Sequence, residues 1–118
     1  MFTEQLNKVE LLGTVGSISV NNVGGTKMAR LSLATNYGYR DREGNAVIET
    51  TWHAVAAWEG KGITNLEDIV RGDRLHILGR LKQYRYTDMS GNERSAMEVL
   101  ASRVEKVPAG GTGQTKEA

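Results

Sequence analysis

Both tryptophans of the chain fall in the stretch Thr51-Trp52-His53-Ala54-Val55-Ala56-Ala57-Trp58. In an extended strand, side chains alternate with period two. Trp52, Ala54, Ala56 and Trp58 then share one side, and His53, Val55 and Ala57 share the other. A core strand puts its bulk on the buried side, yet here the two largest rings stand among alanines. Four tyrosines repeat the theme as even-spaced pairs, Tyr37/Tyr39 and Tyr84/Tyr86. Basic residues accompany every pair: Arg40 and Arg42, Lys61, Lys82 and Arg85. Flat rings stack on unpaired bases, worth roughly 1–3 kcal/mol per base, and cations track the phosphates. Stacking needs no particular base, and small residues between the rings leave room for one. This is chemistry suited to single-stranded nucleic acid.

Other chemistries find no support. His53 and His76 fall on different strands and have no ligand spacing with Asp or Glu, so neither a metal nor a cofactor is expected. Gly13-Thr14-Val15-Gly16 leads into strand signals rather than a helix, unlike a phosphate loop. Asp41, Glu49 and Glu59 form no acid/base pair, and no nucleophile set can be assembled, so no catalytic residue and no enzyme is expected. The competing account of any single Tyr or Trp is half-buried packing with a polar tip at the surface. Three pairs beside basic residues favour a binding face instead. Position 53 reads as structural.

The elements that must carry these residues are strands. Val9 and Leu11 open a strand that bends at Gly13 and Gly16, and turn signals follow at Asn21-Asn22 and Gly24-Gly25. Ala29, Leu31, Leu33 and Thr35 alternate with Arg30, Ser32 and Ala34. Arg74–Tyr86 forms a further strand, with Leu75, Ile77 and Leu81 on a core side. Its other side carries Arg74, His76, Leu78, Arg80, Lys82, Tyr84 and Tyr86. Ile63, Leu66, Ile69 and Val70 predict one short helix, with a capping box from Thr64 to Glu67 and Gly72 after its end. Five strand-like blocks with a helix between the third and fourth predict an all-β, five-stranded Greek-key barrel of the OB type. The domain is expected over residues 1–107, its core from about Leu6 to Val107. The Gly-rich residues 108–118 are expected to be a disordered tail.

The whole composition sets bounds. A chain of 118 residues holds one core. Its net charge of +1 announces no nucleic-acid partner, so that reading rests on where the charges sit. Neither a membrane-spanning run nor a signal-peptide pattern is present, and no cysteine occurs, which fits an intracellular setting.

Taken in order, several segments resemble the bacterial single-stranded DNA-binding protein family. They are Leu6-Asn7-Lys8-Val9 with Leu11 and Gly13; Leu33-Ala34-Thr35-Asn36 with Tyr39-Arg40-Asp41; Thr51-Trp52-His53 with Val55; Arg71-Gly72-Asp73 with Leu75, Ile77, Gly79 and Leu81; and Tyr86-Thr87-Asp88 with Gly91. The resemblance covers residues 6–107. It implies a homotetramer of OB domains that coats single-stranded DNA during replication, recombination and repair, in the cytoplasm at the bacterial nucleoid. The alternative within the same fold is an RNA-binding or primosome-assembly module. Carried over by position, Tyr39, Trp52, Trp58 and Tyr86 would stack on bases, where the family usually has Trp, Trp, Phe and Trp. Lys8, Arg40, Lys61, Arg71, Lys82 and Arg85 would meet phosphates, and His53 would lie near a subunit contact. Two stretches depart from the family pattern. Ser17–Met28 lacks the usual Asp-Pro-Glu, and the tail ends Gln-Thr-Lys-Glu-Ala instead of an acidic tip closing in Pro-Phe. The tip is the family's usual means of recruiting replication and repair proteins, which stay among the partners the resemblance implies although the usual tip is absent from this sequence.

Overall fold

A computed structural model describes residues 4–108. Five strands follow one another: β1 (Val9–Val23), β2 (Thr26–Arg40), β3 (Ala46–Trp58), β4 (Arg74–Thr87) and β5 (Glu93–Val107). They close into a barrel in the order β1-β2-β3-β5-β4. All neighbours are antiparallel except β3 and β5, which meet in parallel at Val55/Val99 and Ala56/Leu100. That short seam is extended where Thr64 N donates to Val104 O and Val104 N donates to Gly62 O. The all-β barrel expected from the five blocks is therefore the observed fold.

Alternation builds the interior. Val15, Leu31, Leu33, Val55, Leu75, Ile77, Val99 and Val104 are buried and pack as one cluster. Two bulges bend the wall. Gly16 is the extra residue of β1 between the pairs Val15/Leu33 and Ser17/Ser32. Ser102 is the extra residue of β5 beside the pair Leu78/Arg103. Beyond that second bulge β4 leaves the barrel, so Leu81 is 44% exposed and not a core residue as the alternation suggested.

Four other local expectations change. The helix contracts to a single 3-10 turn, Leu66–Asp68, capped by Asn65 rather than Thr64, and Val70 is exposed. Leu66 and Ile69 are buried against the core, so packing of two side chains, without a full helical face, fixes this segment. Asn21 and Asn22 lie within β1, paired with Met28 and Lys27. The reversal falls wholly on Gly24 and Gly25, whose φ values of 60° and 88° suit a two-residue hairpin turn.

The hairpins β2–β3 and β4–β5 both reach past the barrel. Each closes on the same pattern, Asp-x-x-Gly-Asn. Asp41 Oδ1 accepts from the amides of Glu43 and Asn45, and Asp88 Oδ1 accepts from those of Ser90 and Asn92. No described helix is long and apolar enough to cross a membrane. The expected tail falls almost wholly outside the described residues, which end at Pro108.

Candidate nucleic-acid interface

The β2–β3 ladder runs without a register shift, so its even-numbered residues form one continuous outer face. Across it, Met28 pairs with Trp58, Arg30 with Ala56, Ser32 with Ala54, and Ala34 with Trp52. Trp52 is 60% exposed and Trp58 41%. At roughly 3.3 Å per residue their backbone positions lie about 20 Å apart along the strand. Ala54 is exposed between them, and Ala56 is buried beneath its cross-strand neighbours.

Trp52 borders a cavity of about 430 Å³ that also involves Gly16, Ser32, Ala34 and Arg71. Two backbone bonds bring Arg71 there. Gly72 N donates to Val15 O, and Val15 N donates to Asp73 O, so the loop before β4 lies along the β1 bulge. Absence of a side chain at Gly16 makes room for the ring. A Cβ built there would overlap Cζ3 of Trp52 and lie 2.8 Å from Cη2. One wall of the cavity is thus an indole and another belongs to Arg71, a pairing that suits a base with its phosphate.

On the β4–β5 hairpin, Tyr84 and Tyr86 lie with centroids 6.0 Å apart. Tyr86 is exposed; Tyr84 is half-buried beneath Arg30, whose guanidinium carbon lies 5.4 Å from the ring centroid. Arg30 Nη1 also meets Glu98 Oε1 at 3.1 Å, and the Glu98 side chain is only 8% exposed. Tyr37 and Tyr39 stack on each other at 6.1 Å. Their odd register in β2 puts them on the face opposite Trp52, where the hairpin has left the barrel and both rings remain exposed. The expectation that every aromatic pair occupies the outer face therefore fails for this one.

The basic residues differ in their freedom. Lys8, Lys61, Arg71 and Lys82 are exposed and have no salt-bridge partner among the described residues. Arg40 donates to Gly44 O at 2.7 Å, across its own turn. Arg85 faces away from Tyr86 in the β4 alternation and lies 3.6 Å from exposed Glu93, a contact weak in water. His53 is half-buried, with Nε2 2.9 Å from Thr35 Oγ1. Three aspartates anchor the surrounding loops. The amide of Asn45 holds the Asp41 carboxyl below its ordinary range, Arg94 does so for Asp88, and the amide of Val70 for Asp73.

Sequence reasoning noted the Arg30/Ser32 face but did not assign Arg30 a role, and it passed over Glu98. Glu98 sits between Met97 and buried Val99 with nothing nearby to explain it. Its partner lies 68 residues away, so local pattern carries no signal of the pair.

Comparison with known proteins completes the picture. The family model described as "Single-strand binding protein family" matches residues 6–107. The chain belongs to the single-strand binding protein family. A relative in this family is the "Single-stranded DNA-binding protein" of Xanthomonas campestris, 31% identical over 111 residues, covering 92% of this chain and 63% of that protein. Another, from Rickettsia typhi, is 35% identical over 100 residues, covering 80% of this chain and 65% of its own length. The chain thus spans less than two thirds of the length of these relatives. Among solved structures, the Plasmodium falciparum SSB in complex with ssDNA superposes with a TM-score of 0.75 at 26% identity, covering 92% of this chain and all of that one. A small single-stranded DNA-binding protein from Streptomyces coelicolor shares the fold, with a TM-score of 0.65 at 20% identity and coverage of 87% of this chain and 96% of that one.

Proposed function

We propose that this protein binds single-stranded DNA without sequence preference, coats it during replication, recombination and repair, and catalyses no reaction. The observation that carries the reading is the placement of Trp52 and Trp58, both exposed on one face of β3 with only alanines between them on that face. Trp52, Trp58 and Tyr86 stack on bases, and Tyr39 does so from the reverse side of the β2–β3 hairpin. Lys8, Arg40, Lys61, Arg71, Lys82 and Arg85 neutralise phosphates along the path. One barrel domain, residues 1–107, covers about 4–16 nucleotides. The working unit is a homotetramer with His53 near a subunit contact, and its setting is the cytoplasm at the nucleoid. The family match, relatives named for single-stranded DNA binding, and a superposable structure solved with ssDNA support this reading.

Titration of oligo-dT against intrinsic tryptophan fluorescence tests it, with oligo-U and duplex DNA as controls. Strong quenching by oligo-dT and weak response to duplex is the expected result. Preferential quenching by oligo-U would favour an RNA-binding module, and no quenching by any single strand would end the proposal.

A further inference from the structure

We infer that Arg30 is itself a base-stacking surface, held over Tyr84 by Glu98, and that it fills the interval between Trp52 and Trp58. The inference rests on the single-strand reading above. Arg30 stands opposite Ala56, one cross-strand pair from Trp58 and two from Trp52. The backbone between Trp52 and Trp58, roughly six residues or about 20 Å of strand, is too long for one base to bridge. Arg30 supplies a middle surface there. Its guanidinium lies over the Tyr84 ring, yet half the side chain is in solvent. Beside it, a concavity of about 340 Å³ runs to Trp52 over Ser32 and Ala54. That volume is in the range of small-ligand sites, and bases stack on guanidinium planes as they do on rings.

The charge of Arg30 is already committed. Glu98 is nearly buried, and Arg30 is its ion-pair partner. Drawing the guanidinium away to a phosphate would leave a buried carboxylate unpaired, which is strongly unfavourable. The plane is therefore available to a base while the charge is not available to the backbone. Lysine would keep the pairing charge but has no plane.

Affinity for oligo-dT, measured across a range of NaCl concentrations for the native chain and for Arg30→Lys, tests the inference. The expected result is a loss of roughly 5- to 150-fold for Arg30→Lys, the equivalent of one stacked base. The slope of log K against log salt should stay as in the native chain. Binding within twofold of native would overturn the inference. The double variant Arg30→Met with Glu98→Gln removes both charges of the pair together. It should keep a native-like circular dichroism spectrum and show the same loss, and native affinity in it would contradict the inference. In this double variant, a slope shallower by about 0.7, the mark of one lost phosphate contact on a single strand, would overturn it too. Failure of the native chain to bind any single strand would overturn the function itself, whereas native-strength binding by Arg30→Lys overturns this inference alone.

Discussion

A side chain at position 16 would collide with the indole of Trp52, and the backbone there is a bulge that needs no positive φ. Gly16→Ala should therefore fold while pushing the ring out of its cavity. Affinity for oligo-dT should fall several-fold, up to the roughly 1–3 kcal/mol of one stacked base, with Tm changed by only a few degrees. Titration together with a thermal melt checks this; unchanged affinity would show that the ring's position is immaterial. Gly79 differs in kind. A Cβ there would overlap the backbone oxygen of Leu100, which cannot swing aside as a side chain can. Gly79→Ala should cost about 1–3 kcal/mol of stability, the usual range for overpacking, read from urea denaturation. A midpoint equal to the native one would refute the close approach of β4 and β5.

At the scale of elements, the two projecting hairpins depend on their aspartates. The Asn45 amide, joined by those of Glu43 and Gly44, favours ionised Asp41 in the folded chain, and Arg94 with the Asn92 amide does the same for Asp88. Both folded pKa values lie below the unfolded value, near 3.9. The stabilisation is thus fully present above that value and is lost as pH falls through the lowered ones. Hydrogen exchange at Glu43, Asn45, Ser90 and Asn92 should accelerate relative to the core as pH falls below about 4. Uniform protection across that range would contradict the role of the carboxylates. The strands themselves were legible because alternation is local: Leu75 and Ile77 read as core and are buried, and Leu31 with Leu33, read as sharing one side of their strand, are buried together. Leu81 read the same way but is exposed, because the bulge at Ser102 and the departure of the hairpin depend on pairing with β5, which no local window contains. Thr64 looked like the cap by its spacing to Glu67, but the segment is only a 3-10 turn, and Asn65 Oδ1 reaches the Glu67 amide instead. The face of Trp52 and Trp58 was visible from parity alone. The opposite facing of Tyr39 was not, since it needs the register between β2 and β3.

For the molecule as a whole, a net charge of +1 means that attraction for a polyanion depends on the arrangement of charges. Lys8, Lys61, Arg71 and Lys82, without a salt-bridge partner among the described residues, can release counterions, whereas Arg30 is already paired. Affinity should therefore fall with salt and level off at a residual set by stacking. Light scattering at micromolar concentration should give four times the 12.9 kDa chain mass, and a monomer would contradict the proposed assembly. The central claim is that Trp52 and Trp58 serve bases and not the core. Oligo-dT affinity of the double variant Trp52→Ala with Trp58→Ala, taken beside its melting curve, tests that claim most directly. The account predicts a loss of at least about 30-fold, two stacked bases at the low end of 1–3 kcal/mol each, with a cooperative melt within a few degrees of native. An unfolded variant, or one that binds as the native chain does, would contradict it.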